Sequence, residues 1–139
     1  MSYGRSGFAL QFMLDTSLSD QDKYPLKVSD LIVMGVDNDK APEKVVWGKQ
    51  EAVNDIPNLA LSGDRFYGPV QHLGDWLEYQ GSVMAIDPSG RGSDETAYAI
   101  VKMHNGILYV ADAGGVTGGY NKDTLEKLVG LAKNYKVNH

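Results

Sequence analysis

Residues 81–96 read GSVMAIDPSGRGSDET, and the fold of the chain turns on this stretch. Ser82–Asp87 is apolar on both faces until its last residue, the pattern of a central strand inside a sheet. Pro88 disfavours helical geometry at the residue before it and so holds Asp87 extended. The Asp87 carboxylate is therefore expected to project from the end of a sheet on stiff backbone. The run Ser89-Gly90-Arg91-Gly92-Ser93 turns the chain, and Asp94 stands at the entry to a second strand, Glu95–Met103. Pairing of the two strands brings Asp94 back towards Asp87.

Beyond this stretch, His104-Asn105-Gly106 forms a tight turn, since Asn-Gly is the strongest short hairpin signal. A third strand follows over Ile107–Ala113, and Gly114-Gly115-Val116-Thr117-Gly118-Gly119 reads as a flexible turn. Asn121 can cap a helix over 122–135, with Leu125, Leu128, Val129, Ala132 and Tyr135 on one stripe. Asp123 near its start and Lys133 near its end suit the helix dipole. Another strand is expected to begin at Lys136-Val137-Asn138-His139.

The N-terminal side is less periodic. Asp30–Val36 and Lys44–Gly48 read as two short strands, and the DNDKAPE between them (37–43) has turn chemistry. Residues 49–80 carry scattered aromatics (Phe66, Tyr67, Trp76, Tyr79) without a period and read as an irregular connector. SGFALQFML (6–14) reads as a short helix capped by Ser6 and apolar nearly all round, followed by a polar loop.

Composition bounds the function. A chain of 139 residues with 42% hydrophobic side chains can bury a core as one domain or a small domain with an appendage. The formal charge is −5, and 12 acidic against 7 basic side chains place all of it in residues 1–80. An acidic or neutral chain does not advertise nucleic-acid binding, so any DNA contact is expected from a local patch or from parts outside this sequence. The absence of cysteine removes disulfides and thiolate metal sites. No apolar run has the length of a membrane span, and no secretory leader opens the chain, so a soluble intracellular protein is expected.

Two carboxylates gathered by a turn, Asp87 and Asp94, suit a hard cation such as magnesium or manganese, which prefers oxygen ligands. Two such ions can clamp a scissile phosphate and generate the attacking hydroxide. Arg91, in the loop, is placed to reach a DNA phosphate. The plain alternative is an Asp-Pro turn with solvated acids. GGVTGGYNK (114–122) lacks the Gly-Lys-Ser/Thr ending of a phosphate-binding loop, and Gly90-Arg91-Gly92 lacks the third glycine of a dinucleotide fingerprint. His72, His104 and His139 show no ligand spacing, and His104, beside a turn, is expected to be exposed. Asp112 reads as a solvated strand-end charge, with a metal ligand as the alternative. Trp47 and Trp76 read as packing residues.

EYQGSVMAIDPSGRGSDETAYAIV (78–101) resembles the start of the nuclease domain in bacteriophage terminase large subunits of podovirus type, also called DNA maturase B. GRSGFALQFMLDTSLSD (4–20) resembles the segment that closes the packaging ATPase domain of the same family. The resemblance implies an α/β chain. Its core is a truncated ribonuclease-H-like nuclease fold, a three-stranded antiparallel meander plus helix, preceded by a linker with a short helix and short strands. It implies the end of an ATPase domain over 1–20, a connector over 21–80 and the first part of the nuclease domain over 81–139.

For the whole family it implies an ATP-driven DNA translocase fused to a metal-dependent endonuclease. That enzyme cuts concatemeric viral DNA in the host cytoplasm, with double-stranded DNA, the portal and the small terminase subunit as partners. Asp87 matches the family's first metal-binding aspartate, and Asp94 a further one after the glycine-rich loop. A Walker A motif is absent, so no ATP-binding residue is expected. The family's next catalytic acids lie beyond the sequence. The expectation is a partial metal site, weak for magnesium or manganese, little cleavage, and self-association through an open strand edge. Two other readings stand beside it: a non-catalytic ribonuclease-H-like module that docks on DNA, portal or a terminase partner, and a free-standing small α/β protein.

Overall fold

The computed structural model describes residues 27–57, 65–89, 94–119 and 121–139. They fall into two compact units, one taken from Met34–Val46 and Gln71–His139, the other from residues up to Val33 and from Trp47–Val70. The expected helix at 6–14 lies outside the described residues.

The larger unit is built on three consecutive antiparallel strands, β5 (Gly81–Asp87), β6 (Thr96–His104) and β7 (Ile107–Val116), in the order β5-β6-β7. This is the expected meander. Asn105 (φ 49°) and Gly106 (φ 77°) both take the left-handed region, as a two-residue hairpin turn between right-twisted strands requires. Every second residue of β6 (Thr96, Ile100, Lys102 and His104, with Tyr98 half-buried) turns inward, and that face holds the core. Helix α1 (Lys122–Asn134) contributes Thr124 and Leu128 to the buried set. Asn121 Oδ1 accepts from Thr124 N at 3.0 Å, so the predicted cap is formed. Leu125 and Val129, expected on the helix's inward stripe, are exposed. The burial line runs through Thr124 and Leu128, one residue round from them.

After α1 the backbone returns to β5. His139 N donates to Ser82 O (3.1 Å) and His139 O accepts from Met84 N (2.8 Å). That alternation is the hydrogen-bond pattern of a parallel ladder beginning opposite Val83. The strand expected to begin at 136–139 is not formed, but these two bonds hold His139 against the edge of β5 between Ser82 and Met84.

A two-stranded ribbon completes this unit: β1 (Lys40–Val46) antiparallel to β4 (Gln71–Glu78). β4 continues into β5 through Tyr79-Gln80, where Gln80 N donates to Met103 O (2.8 Å) and prolongs the β5–β6 ladder. Two expectations are corrected here. β1 starts at Lys40, four positions before the expected Lys44. Asp37 Oδ1 accepts from Asp39 N (2.8 Å) and Lys40 N (2.9 Å), so the turn closes early. Pro42 is then accommodated at the register shift between Pro42 and Lys44, where a missing N–H is tolerated. β4 itself lay within the stretch expected to be irregular. All eight of its residues are exposed, so no alternation marks it. Gly74 (φ 78°) interrupts its pattern because a Cβ there would run into the Glu43 side chain across the ribbon.

β7 also runs three residues beyond its expected end at Ala113, to Val116. Gly114 and Gly115 are ladder residues opposite Tyr98 and Ala97, not a flexible turn. Their missing Cβ atoms leave room for Tyr98 and Glu95, which lie over them.

In the smaller unit, β2 (Ala52–Val53) pairs with β3 (Phe66–Tyr67), and a single 3-10 turn spans Val28–Asp30. The strand expected at Asp30–Val36 is not formed. Ile32 makes one parallel bridge to Tyr67, and the two-residue β3 offers no longer ladder. Among the described residues no helix is long and apolar enough to cross a membrane.

Candidate functional site

Asp87 is the last residue of β5, paired in register with Ala97 of β6, and its side chain is exposed. Ala97, Ala99, Val101 and Met103 share its face of the sheet, because side chains alternate along each strand. Asp94 lies two positions before β6 and is also exposed. The strands therefore return Asp94 to the same end of the sheet as Asp87. Arg91 lies outside the described residues.

A contact missed in the sequence joins the two arms of the loop. Ser89 N donates to Thr96 Oγ1 (3.1 Å), and Thr96 Oγ1 donates to Ser89 Oγ (3.1 Å). Thr96 is fully buried and Ser89 half-buried, so the clip is partly shielded from water. Asp87 stands two residues before one end of the clip and Asp94 two residues before the other. Local sequence carries no signal of it, because the contact depends on the register of β5 against β6.

Asp112 is not a solvated strand-end charge. It sits within β7, half-buried, opposite Ile100, and Tyr98 Oη donates to its Oδ2 at 3.0 Å. Its Oδ1 accepts from Ala113 N (2.9 Å). Ile100 belongs to the buried face of β6, so Asp112 is on the opposite side of the sheet from Asp87. The hydrogen bond to Asp112 raises the Tyr98 phenol above its ordinary pKa. His104, expected to be exposed, is buried, with Nδ1 3.2 Å from Glu78 O. It ends the inward-facing series of β6, and β4 covers it.

An exposed carboxylate on stiff backbone at a strand end is a fitting donor for magnesium or manganese, which take oxygen ligands and keep several waters. Among the described residues no group of three or more His, Cys, Asp or Glu side chains comes together. Among the described residues the candidate donors at this end of the sheet are thus Asp87 and Asp94.

Comparison with known proteins agrees with this architecture. Residues 86–139 match the family model of the ribonuclease-H-like domain of bacteriophage T7 terminase. The chain is 44% identical over 139 residues to the terminase, large subunit, of Enterobacteria phage T3, an alignment covering 99% of this chain. It spans 24% of that relative's length. The resemblance read from residues 78–101 and 4–20 is borne out, and the meander with its helix is consistent with the truncated ribonuclease-H-like α/β domain that it implied.

Proposed function

We propose that this chain, which matches a phage terminase large subunit along nearly its whole length, supplies the first metal-holding carboxylate of a packaging endonuclease. The observation that carries the reading is Asp87: exposed, extended, and at the end of the first strand of a ribonuclease-H-like meander. In the family reading, the whole enzyme packages viral DNA with ATP and cuts its concatemers in the host cytoplasm. Its partners there are double-stranded DNA, the portal and the small terminase subunit.

Asp87 would hold a magnesium or manganese ion, with Asp94 as a second oxygen donor from the facing arm. When bound, such an ion activates water and offsets charge on the scissile phosphate. The chain's own part is positional. Pro88 fixes the backbone at Asp87, and the Ser89–Thr96 clip ties together the two strand ends, two residues from Asp87 and two from Asp94. Arg91 would hold a backbone phosphate as a charge-assisted donor. With one or two ligands, cation affinity is weak and the 139-residue chain cuts little or no DNA.

Paramagnetic manganese added to the labelled chain tests this. Amide signals at Asp87 and Asp94 should broaden first, and Asp87→Asn should abolish the effect. Absence of broadening at Asp87 sinks its metal role. Magnesium-dependent nicking of supercoiled plasmid by the chain, lost in Asp87→Ala, overturns the partial-site reading. The second reading, a non-catalytic docking module, gains support if DNA or portal binding is unaffected by Asp87→Asn.

A further inference from the structure

At the opposite end of β5 from Asp87, a cavity of about 370 Å³ opens where the β1–β4 ribbon meets the sheet. That volume lies within the range of roughly 300–1,000 Å³ typical of pockets for small organic ligands. Ser82, Lys102, Tyr79 and Lys136 line it, together with Asp39 and Glu78.

Lys102 occupies the inward face of β6 and is only 3% exposed. Its Nζ donates to Asn38 O and lies 5.3 Å from the Tyr79 ring centre and 5.9 Å from that of Tyr135. An ammonium has three protons, and aromatic faces are weak partners for the others. Among the described residues no carboxylate lies within ion-pair distance of it. A buried cation without a counter-ion is costly, and burial holds the Lys102 pKa below its ordinary value.

Ser82, 6% exposed, presents a second unmet group to the same cavity. Its N–H donates to Asn138 Oδ1 (2.9 Å) and its carbonyl accepts from Asn138 N and His139 N, yet its Oγ has no partner. On the rim, Lys136 Nζ pairs with Asp39 Oδ1 at 2.7 Å. The lining as a whole carries three lysines (Lys40, Lys102, Lys136) against two carboxylates.

A buried ammonium held by a single carbonyl, beside a buried hydroxyl without a partner, in a cavity of net positive charge, calls for an anion rich in acceptor oxygens. We propose that this cavity is a phosphate-binding site, distinct from Asp87, that takes the phosphate of a mononucleotide or of a DNA backbone. The Lys102 ammonium and the Ser82 hydroxyl donate to the phosphate oxygens, and Lys136 closes over it from the rim. Distinctness follows from the sheet. Ser82 and Asp87 sit at opposite ends of β5 and on opposite faces.

Calorimetric titration of the 139-residue chain with inorganic phosphate, thymidine 5′-monophosphate, thymidine and a short DNA duplex tests the proposal. A phosphate-bearing probe should bind and thymidine should not. Lys102→Met and Ser82→Ala should weaken that binding by about tenfold and about threefold, the scale of a lost charged and a lost neutral hydrogen bond. Lys136→Gln, an exposed change that leaves the core intact, should also weaken it. Nucleotide binding without duplex binding identifies a free nucleotide as the source. Duplex binding with the same dependence on these variants identifies the DNA backbone. If Lys102→Met does not fold, Ser82→Ala and Lys136→Gln decide. The proposal is overturned if no phosphate probe binds, if thymidine binds as well as its monophosphate, or if the folded variants bind like the parent.

Discussion

Thr96 shows how much a single side chain can organise. Itself fully buried, it accepts from Ser89 N and donates to the Oγ of the half-buried Ser89 through one hydroxyl. Thr96→Val keeps the shape and strands the Ser89 N–H, which should cost about 1–3 kcal/mol in urea unfolding. Ser89→Ala, which keeps the N–H bond, should cost less; equal costs would mean that the backbone donor is not what the clip secures. Tyr79 offers a second test at this scale. Burial, with Tyr109 and two aspartates nearby, raises its pKa from 10.0 to about 12. A phenol delayed in this way adds stability that is fully present below the ordinary value and is lost as pH rises towards 12. Ultraviolet titration should show a tyrosine ionising near pH 12, absent in Tyr79→Phe. Lys102 acts in the opposite sense. Its depressed pKa is a cost at neutral pH that lifts with alkali, so the comparison must be made against the Tyr79→Phe variant rather than on the slope alone.

At the scale of elements, the legible parts were those with a continuous apolar run, an inward face that repeats every second residue, or turns and caps of fixed chemistry. β5, β6, the Asn105-Gly106 turn and the Asn121-capped helix follow from the residues themselves. β4 did not, because all its residues are exposed and Gly74 breaks its middle. The end of β7 was hidden for the reverse reason: Gly114 and Gly115 look like a turn, and only the side chains of Tyr98 and Glu95 explain them. The candidate site was half legible. Asp87 and Asp94 could be read from an Asp-Pro end and a glycine loop, whereas the Ser89–Thr96 clip depends on strand register, which no local pattern states. Gly74→Ala should destabilise the ribbon by roughly 1–3 kcal/mol, since it combines a positive φ with a collision against Glu43. Thermal unfolding checks this, and an unchanged midpoint would mean the ribbon contributes little to the unit's stability.

At the scale of the whole unit, sequence-distant segments converge on β5. Its Ser82 meets Asn138 across 56 positions, and Met84 N is held by His139 O. Removing Asn138 and His139 should speed amide exchange at Met84 and produce concentration-dependent light scattering, because the freed edge can template another strand. Exchange and scattering that match the parent would show that the edge is protected by other means.

The separation of β5 from its cap also has a consequence in time. Translation delivers β5 before residues 138–139 exist, and at about 5–20 residues per second those 56 positions take roughly 3–11 s. During that interval β6 can pair with one side of β5 while the other side waits. A nascent chain held at this stage is the form most open to mispairing, so chaperone supply or translation speed should govern the yield of this fold more than its final stability does.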